Sequence, residues 1–188
     1  MFNPTEYTDH LMELTFRATD SPTAQEQVFG FLLDEAGEPA TEVAVREGLD
    51  LPKTTTHVAL NTLVEQGLVK EERVGRTGLY LIDPSDPLVK TLKMAQAIRR
   101  VQIALRPLVD ELDLVILFGS ASRGEDQRNS DVDVFVVARD AARVLTELAR
   151  HQWLQPVVKT PEAHMQLIDE AGTFAKEVAR GTTVWERR

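Results

Sequence analysis

The 188-residue sequence predicts an α+β protein in two parts: a small helical unit closed by a β-hairpin, then a small mixed sheet carrying helices. Three observations predict it. Helix-period apolar segments between residues 21 and 66 are followed by two strand-like runs around a turn rich in Gly and Arg. A long helical segment begins after Asp83-Pro84-Ser85-Asp86-Pro87. Beyond it the pattern reads strand, strand, helix, strand, helix, strand. These segments divide the chain into an arm (1–20), the helical unit (21–85), a linker helix (86–106) and a C-terminal domain (107–188).

Residues 1–20 carry weak periodicity at Leu11, Leu14 and Phe16, as a short helix or an arm would. Ser21-Pro22 reads as a helix start with Pro in the first turn, and Val28, Phe29, Leu32 and Leu33 form its apolar stripe up to about Gly37. Thr41 is placed to cap a second helix over Val43, Ala44 and Val45, ending near Gly48. A third helix runs from about Lys53 to Gln66, with Val58, Leu60, Leu63 and Val64 inside and Gly67 as its stop. Leu68–Glu72 and Leu79–Ile82 follow as strands, with 73–78 as the turn.

Three helices and a hairpin describe a winged helix-turn-helix. Residues 51–69, LPKTTTHVALNTLVEQGLV, resemble the recognition helix of ArsR-, MarR- and IclR-type regulators, and the resemblance covers about 22–84. It implies binding to double-stranded DNA. Lys53, Thr54, Thr55, Thr56 and His57 are the residues for the major groove, and Arg73 and Arg76 reach the backbone or minor groove from the wing. Between Lys53 and Arg100 there are eight basic and five acidic residues, a local balance of 8 − 5 = +3 in a chain of net charge −9. That asymmetry favours nucleic acid over the alternative of a protein-docking module.

In the linker helix Leu88, Leu92, Ala95, Ile98, Val101, Leu105, Leu108 and Leu112 step by threes and fours. This seam serves either a homodimer or packing against the chain's own domains. Pro107 is expected to break the helix near Arg106.

The C-terminal half holds the chemistry. The run LVILFGSASRGEDQRNSDVDVFVVA, from Leu114 to Ala138, ends one apolar strand in Gly119-Ser120 and opens the next with Asp131-Val132-Asp133. Alternation along a strand puts Asp131 and Asp133 on one face, roughly 6.6 Å apart. Two such carboxylates suit Mg²⁺, which takes one or two carboxylates plus substrate phosphates. Gly119 permits close approach of backbone to phosphate, and Ser120 adds a hydroxyl. Gly-Ser alone is an ordinary turn, and Asp-x-Asp alone is usually the solvated face of an edge strand. Here apolar strands flank both, and Asp is otherwise depleted in strands. Neither a Gly-x-Gly-x-x-Gly loop nor a Walker loop is present.

Gly119-Ser120, Arg123-Gly124 and Asp131-x-Asp133 together resemble the minimal nucleotidyltransferases of the DNA polymerase β superfamily, over roughly residue 108 to the C-terminus. The resemblance implies that Gly119 and Ser120 bind a nucleoside triphosphate, with ATP the expected donor. It also implies that Asp131 and Asp133 hold Mg²⁺ and act as the catalytic carboxylates, and that Arg123 clamps the phosphates. A third carboxylate belongs on a later strand, yet the matching run Gln155–Thr160 has none; Lys159 occupies its neighbourhood, and Glu162 and His164 just beyond are the candidate substitutes. Relatives include antitoxins that attach nucleotides to a partner protein. The acceptor expected here is accordingly a protein such as a cognate toxin, with a small molecule as the other option. The rival expectation is a transcription regulator whose degenerate transferase domain only binds or senses nucleotide.

Composition sets outer limits. The chain has no cysteine, which excludes disulfides, thiol catalysis and thiolate metal sites. No secretory pattern and no apolar run near 18 residues is found, so the expected setting is cytoplasmic, without membrane partners.

Overall fold

The computed structural model describes residues 22–128 and 130–187, so the expected arm and Ser21 lie outside the described residues. The chain divides into two compact units, with the boundary in the sequence between Val89 and Lys90.

The first unit holds helices α1 (Ala24–Asp34), α2 (Glu42–Leu49) and α3 (Lys53–Glu65), and strands β1 (Ala40–Thr41), β2 (Lys70–Val74) and β3 (Thr77–Leu81). Helix α1 starts at Thr23 rather than at Ser21-Pro22. The Thr23 hydroxyl accepts from the Glu26 N–H while the Glu26 carboxylate accepts from the Thr23 N–H, a reciprocal cap that fixes the first turn. Val28, Phe29, Leu32 and Leu33 are all buried. Thr41 caps α2 as expected, accepting from the Ala44 N–H, but only Val45 of its apolar residues is buried.

Helix α3 ends at a left-handed Gly67. The Gly67 N–H donates to the Val64 carbonyl and the Leu68 N–H to the Leu63 carbonyl, the paired bonds of a Schellman stop. The helix is turned relative to the sequence expectation. Thr56, Ala59, Leu60 and Leu63 face inward, while Val58 is 58% exposed. Thr56 is tolerated inside because its hydroxyl donates to the Pro52 carbonyl at 3.1 Å.

The hairpin is longer than expected. Arg73 pairs with Gly78 and Val74 with Thr77, which leaves Gly75-Arg76 as a two-residue turn with Gly75 at positive φ. Strand β1 was not anticipated; its two residues pair with Tyr80 and Leu79 in the sheet order β1-β3-β2. A run that short carries no period of its own.

The second unit is a four-stranded mixed sheet between two helical layers. Helix α4 (Pro87–Leu105) runs into it and gives way to a 3₁₀ turn (Arg106–Glu111) where Pro107 removes a helical donor. Strands β4 (Leu112–Phe118), β5 (Val132–Ala138), β6 (Leu154–Lys159) and β7 (Thr182–Glu186) lie in the order β6-β5-β4-β7. The β5–β6 pair is parallel and is joined through α5 (Ala141–Leu148); the other pairs are antiparallel.

One face of this sheet packs Val115, Leu117, Val134 and Val136 against Ala97, Val101 and Leu105 of α4 and Val144 and Leu148 of α5. The expected seam from Val101 to Leu112 is therefore core of its own domain and is not free for a second copy. The other face sets Phe118, Phe135 and Val137 against Leu167, Phe174 and Val178. These come from two helices, α6 (Pro161–Glu170) and α7 (Thr173–Ala179), where one was expected over Glu162–Arg180. The chain breaks at Ala171, with φ 47°, and Gly172, where α6 ends and α7 begins. Among the described residues no helix is long and apolar enough to cross a membrane.

Candidate active site

Strand register assembles the site. Phe118, the last residue of β4, pairs with Asp133 on β5, so the turn that follows Phe118 lies beside the carboxylates. Gly119 has φ +70°, and a Cβ there would fall on the Asp133 carboxylate. Ser120 resumes right-handed backbone (φ −65°, ψ −39°) as the turn Ala121–Arg123 begins. A left-handed residue followed by a right-handed one brings successive N–H groups to one side, an anion-binding nest. Gly119→Ala is expected to cost about 1–2 kcal/mol from the backbone alone and to displace Asp133. A titration calorimetry experiment with a triphosphate should show weaker binding than the native protein.

The Gly119 carbonyl accepts from the Ser122 hydroxyl and from Arg123 Nη1, both at 2.8 Å. Arg123 Nε donates to Glu125 at 2.9 Å, and Lys90 Nζ reaches the other Glu125 oxygen at 2.9 Å. These two cations hold the Glu125 carboxyl below its usual range, with Lys90 the larger influence. Arg123 thus braces the turn from behind in this structure, with its side chain still half exposed. Gly124, also at positive φ, sits against the Lys90 backbone, where a Cβ has no room. Buried Lys93 anchors the next stretch through the Asp126 carbonyl and, at 3.8 Å, its carboxylate.

Asp131 is exposed and Asp133 is half-buried. The Asp133 carboxyl is pushed above its ordinary 3.8, first by burial, then by Glu177 and Asp131. Glu177, on α7, is an acid of the site that the sequence did not point to. Its place follows from Phe174 one turn earlier, which packs on Phe118 and Phe135 at 5.6 and 6.2 Å between ring centres.

The raised carboxyl has a consequence for stability. Unfolding returns Asp133 toward 3.8, so between that value and its folded one the folded protein holds the extra proton. The contribution of Asp133 to stability then falls as pH rises through this window. Asp133→Asn is expected to flatten that fall, measured as thermal midpoints of the metal-free proteins across weakly acidic pH.

The β6 register corrects the search for a third acid. Gln155 is the residue paired with Asp133, and its Nε2 donates to the Asp131 carboxylate at 3.1 Å. Lys159 pairs with Val137, four residues further on, or about 13 Å along the strand. Val157 packs in the apolar cluster, and the His164 ring lies 5.4 Å from that of Phe135. Glu162 belongs to the start of α6, where its own N–H and the Thr160 hydroxyl lower its carboxyl. None of these supplies the place opposite Asp133; an amide does.

In the first unit Lys53, Thr54 and His57 are exposed and Thr55 partly so, whereas Thr56 is fully buried and cannot reach a duplex. Its methyl and hydroxyl fill the inner face of α3, one turn behind Leu60. Arg76 stands at the hairpin tip, and Arg73 is tied to Glu71 at 3.1 Å. The unit boundary also revises the charge balance. Lys90, Lys93, Arg99 and Arg100 belong to the second unit. Residues 22–89 hold five basic side chains (Arg46, Lys53, Lys70, Arg73, Arg76) against twelve acidic ones, 5 − 12 = −7.

Comparison with known proteins agrees with this division. Residues 105–188 match the family model "Polymerase beta, Nucleotidyltransferase" and residues 28–73 match "IclR helix-turn-helix domain". The two matched segments thus fall one in each compact unit. It is 34% identical over 85 residues to the protein adenylyltransferase MntA of Shewanella oneidensis, covering 43% of this chain and 59% of that protein. The chain thus spans under two thirds of the length of this curated relative. Among solved structures it is similar to a toxin–antitoxin complex with AMP-PNP (23% identity, 48% of this chain, 74% of that one, TM-score 0.34). It is also similar to the S. aureus MepR–DNA complex (15% identity, 56% and 89%, TM-score 0.37).

Proposed function

We propose that this chain transfers a nucleoside monophosphate from a triphosphate, ATP first among them, to a protein acceptor, and that its helix-turn-helix unit binds duplex DNA. The observation that carries the transferase reading is the Phe118–Asp133 register, which sets the Gly119-Ser120 nest against the Asp131–Asp133 pair. The adenylyltransferase likeness, which covers 85 residues, supports ATP and a protein acceptor.

The carboxylates fit Mg²⁺ on their own chemistry: they are hard oxygen donors, and an Asp133 raised by burial and then by the Glu177 and Asp131 charges lacks positive charge that a cation would supply. Bound there with the triphosphate, Mg²⁺ supplies charge neutralisation at the phosphates. The chain's residues do the rest. Asp131 and Asp133 fix where the α-phosphorus lies. The nest amides and Ser120 hold the outer phosphates, and Arg123 keeps the turn closed. An acceptor hydroxyl oxygen then forms a bond to the α-phosphorus as the bond to pyrophosphate breaks, and its proton passes to water.

A second reading has its own observation. Gln155 stands where the resemblance expects an acid, and a neutral amide cannot take the acceptor's proton. A domain that binds triphosphate without transferring it, and reports nucleotide level to the DNA-binding unit, follows from that. Incubation with α-labelled ATP, GTP, CTP or UTP, Mg²⁺ and lysate of the source cells separates the two. Label on a protein band supports transfer, and binding without label in any fraction supports the sensor.

A further inference from the structure

On α3 the exposed residues Thr54, His57, Val58 and Asn61 recur at three- and four-residue steps and form one outward face. Two of them are not independent. His57 Nδ1 lies 2.9 Å from Glu42 Oε2 on α2, and His57 Nε2 lies 3.1 Å from Asn61 Nδ2. With the Asn61 amide nitrogen donating to Nε2, Nδ1 is the protonated ring nitrogen and donates to Glu42. The imidazole is thus pinned on both sides. Glu42 is itself fixed as the first residue of a helix capped by Thr41.

We infer that His57 is a positioning residue that orients Asn61 to read adenine in the major groove, so that the duplex site contains an A·T pair at a fixed place. This rests on the DNA-binding reading of the first unit. Asn61 spends one N–H on His57 and keeps one N–H and its carbonyl oxygen. That donor and acceptor are the complement of adenine N7 and N6. Held by the ring, the amide cannot flip to exchange the places of its donor and its acceptor. Val58, 58% exposed one helical turn earlier, offers the apolar surface that a thymine methyl contacts. With five basic side chains in residues 22–89, few phosphates can be neutralised, so sequence-independent attraction is weak and discrimination depends on contacts such as these.

The test uses the full chain. Duplexes bound from a random pool at moderate salt give a site, and affinities are then measured for that site with each base pair replaced in turn. The native protein should prefer A·T to G·C about tenfold or more at one position. Asn61→Ala should abolish that preference there and leave the others. His57→Ala should reduce it several-fold while affinity for a scrambled duplex changes less than about twofold, and His57→Gln, whose amide can bridge Glu42 and Asn61, should restore part of it. A merely structural role for His57 would lower affinity for all sequences alike, without changing the preference. If both Ala variants keep full discrimination at every position, the inference is wrong and DNA binding stands. If no duplex is enriched or bound, the DNA-binding reading falls, and this inference with it.

Discussion

Replacing Asp131 and Asp133 together by Ala should lower nucleotide transfer by about 10³-fold or more. Charge stabilisation at a metal site contributes several kcal/mol, and each 1.36 kcal/mol is tenfold in rate. Mg²⁺-dependent triphosphate binding should be lost with it. The fold should survive, because Asp131 is exposed and Asp133 lies at the edge of the Phe118–Phe135 cluster rather than within it. Removing a carboxylate whose charge is disfavoured by burial and then by Glu177 and Asp131 lifts that cost, so the melting temperature should hold or rise. Calorimetric titration and a thermal melt on the same preparation check both halves. Unchanged triphosphate affinity in Mg²⁺ would remove these residues from the site.

Placing an acid at Gln155 is the second large expected effect. Because Gln155 pairs with Asp133 and touches Asp131, an Asp there completes a three-carboxylate group beside the acceptor's attacking oxygen. General-base assistance contributes about 10²–10⁴-fold, so Gln155→Asp should raise a slow native rate toward that range. Lys159→Asp, about 13 Å along the strand, should do nothing for the rate, and Glu162→Ala should leave it unchanged. A native protein that is already fast and is silenced by Glu162→Ala would contradict the register argument.

Much of this was legible in the sequence because it rests on local chemistry. The capped start of α2, the Gly67 stop and the Pro107 break are set by one or two residues each. The Gly119-Ser120 and Asp131-x-Asp133 pairs lie between strongly apolar strands, which assign them to the ends of those elements. What was not legible depends on pairing across the chain. The residue facing Asp133 on β6 is decided by parallel register, and nothing in the run Leu154–Lys159 distinguishes Gln155 from Val157 or Lys159. Glu177 lies on a second short helix begun after the break at Ala171-Gly172, where a single long helix also fits the pattern. Thr56 and Val58 exchanged places because a threonine that can bond a carbonyl one turn back is as content inside as a valine. The charge balance misled because it was summed across a boundary that only the fold defines.

The most direct test of the central claim follows the phosphates of one nucleotide. ATP labelled at the α-phosphate and ATP labelled at the γ-phosphate are each incubated with the chain, Mg²⁺ and lysate, in parallel with the Asp131→Ala/Asp133→Ala protein. The account predicts that α-label becomes fixed to a protein band, that γ-label leaves as pyrophosphate, and that the double variant does neither. Transfer of γ-label to the acceptor, or the same α-labelling by the double variant, would contradict it.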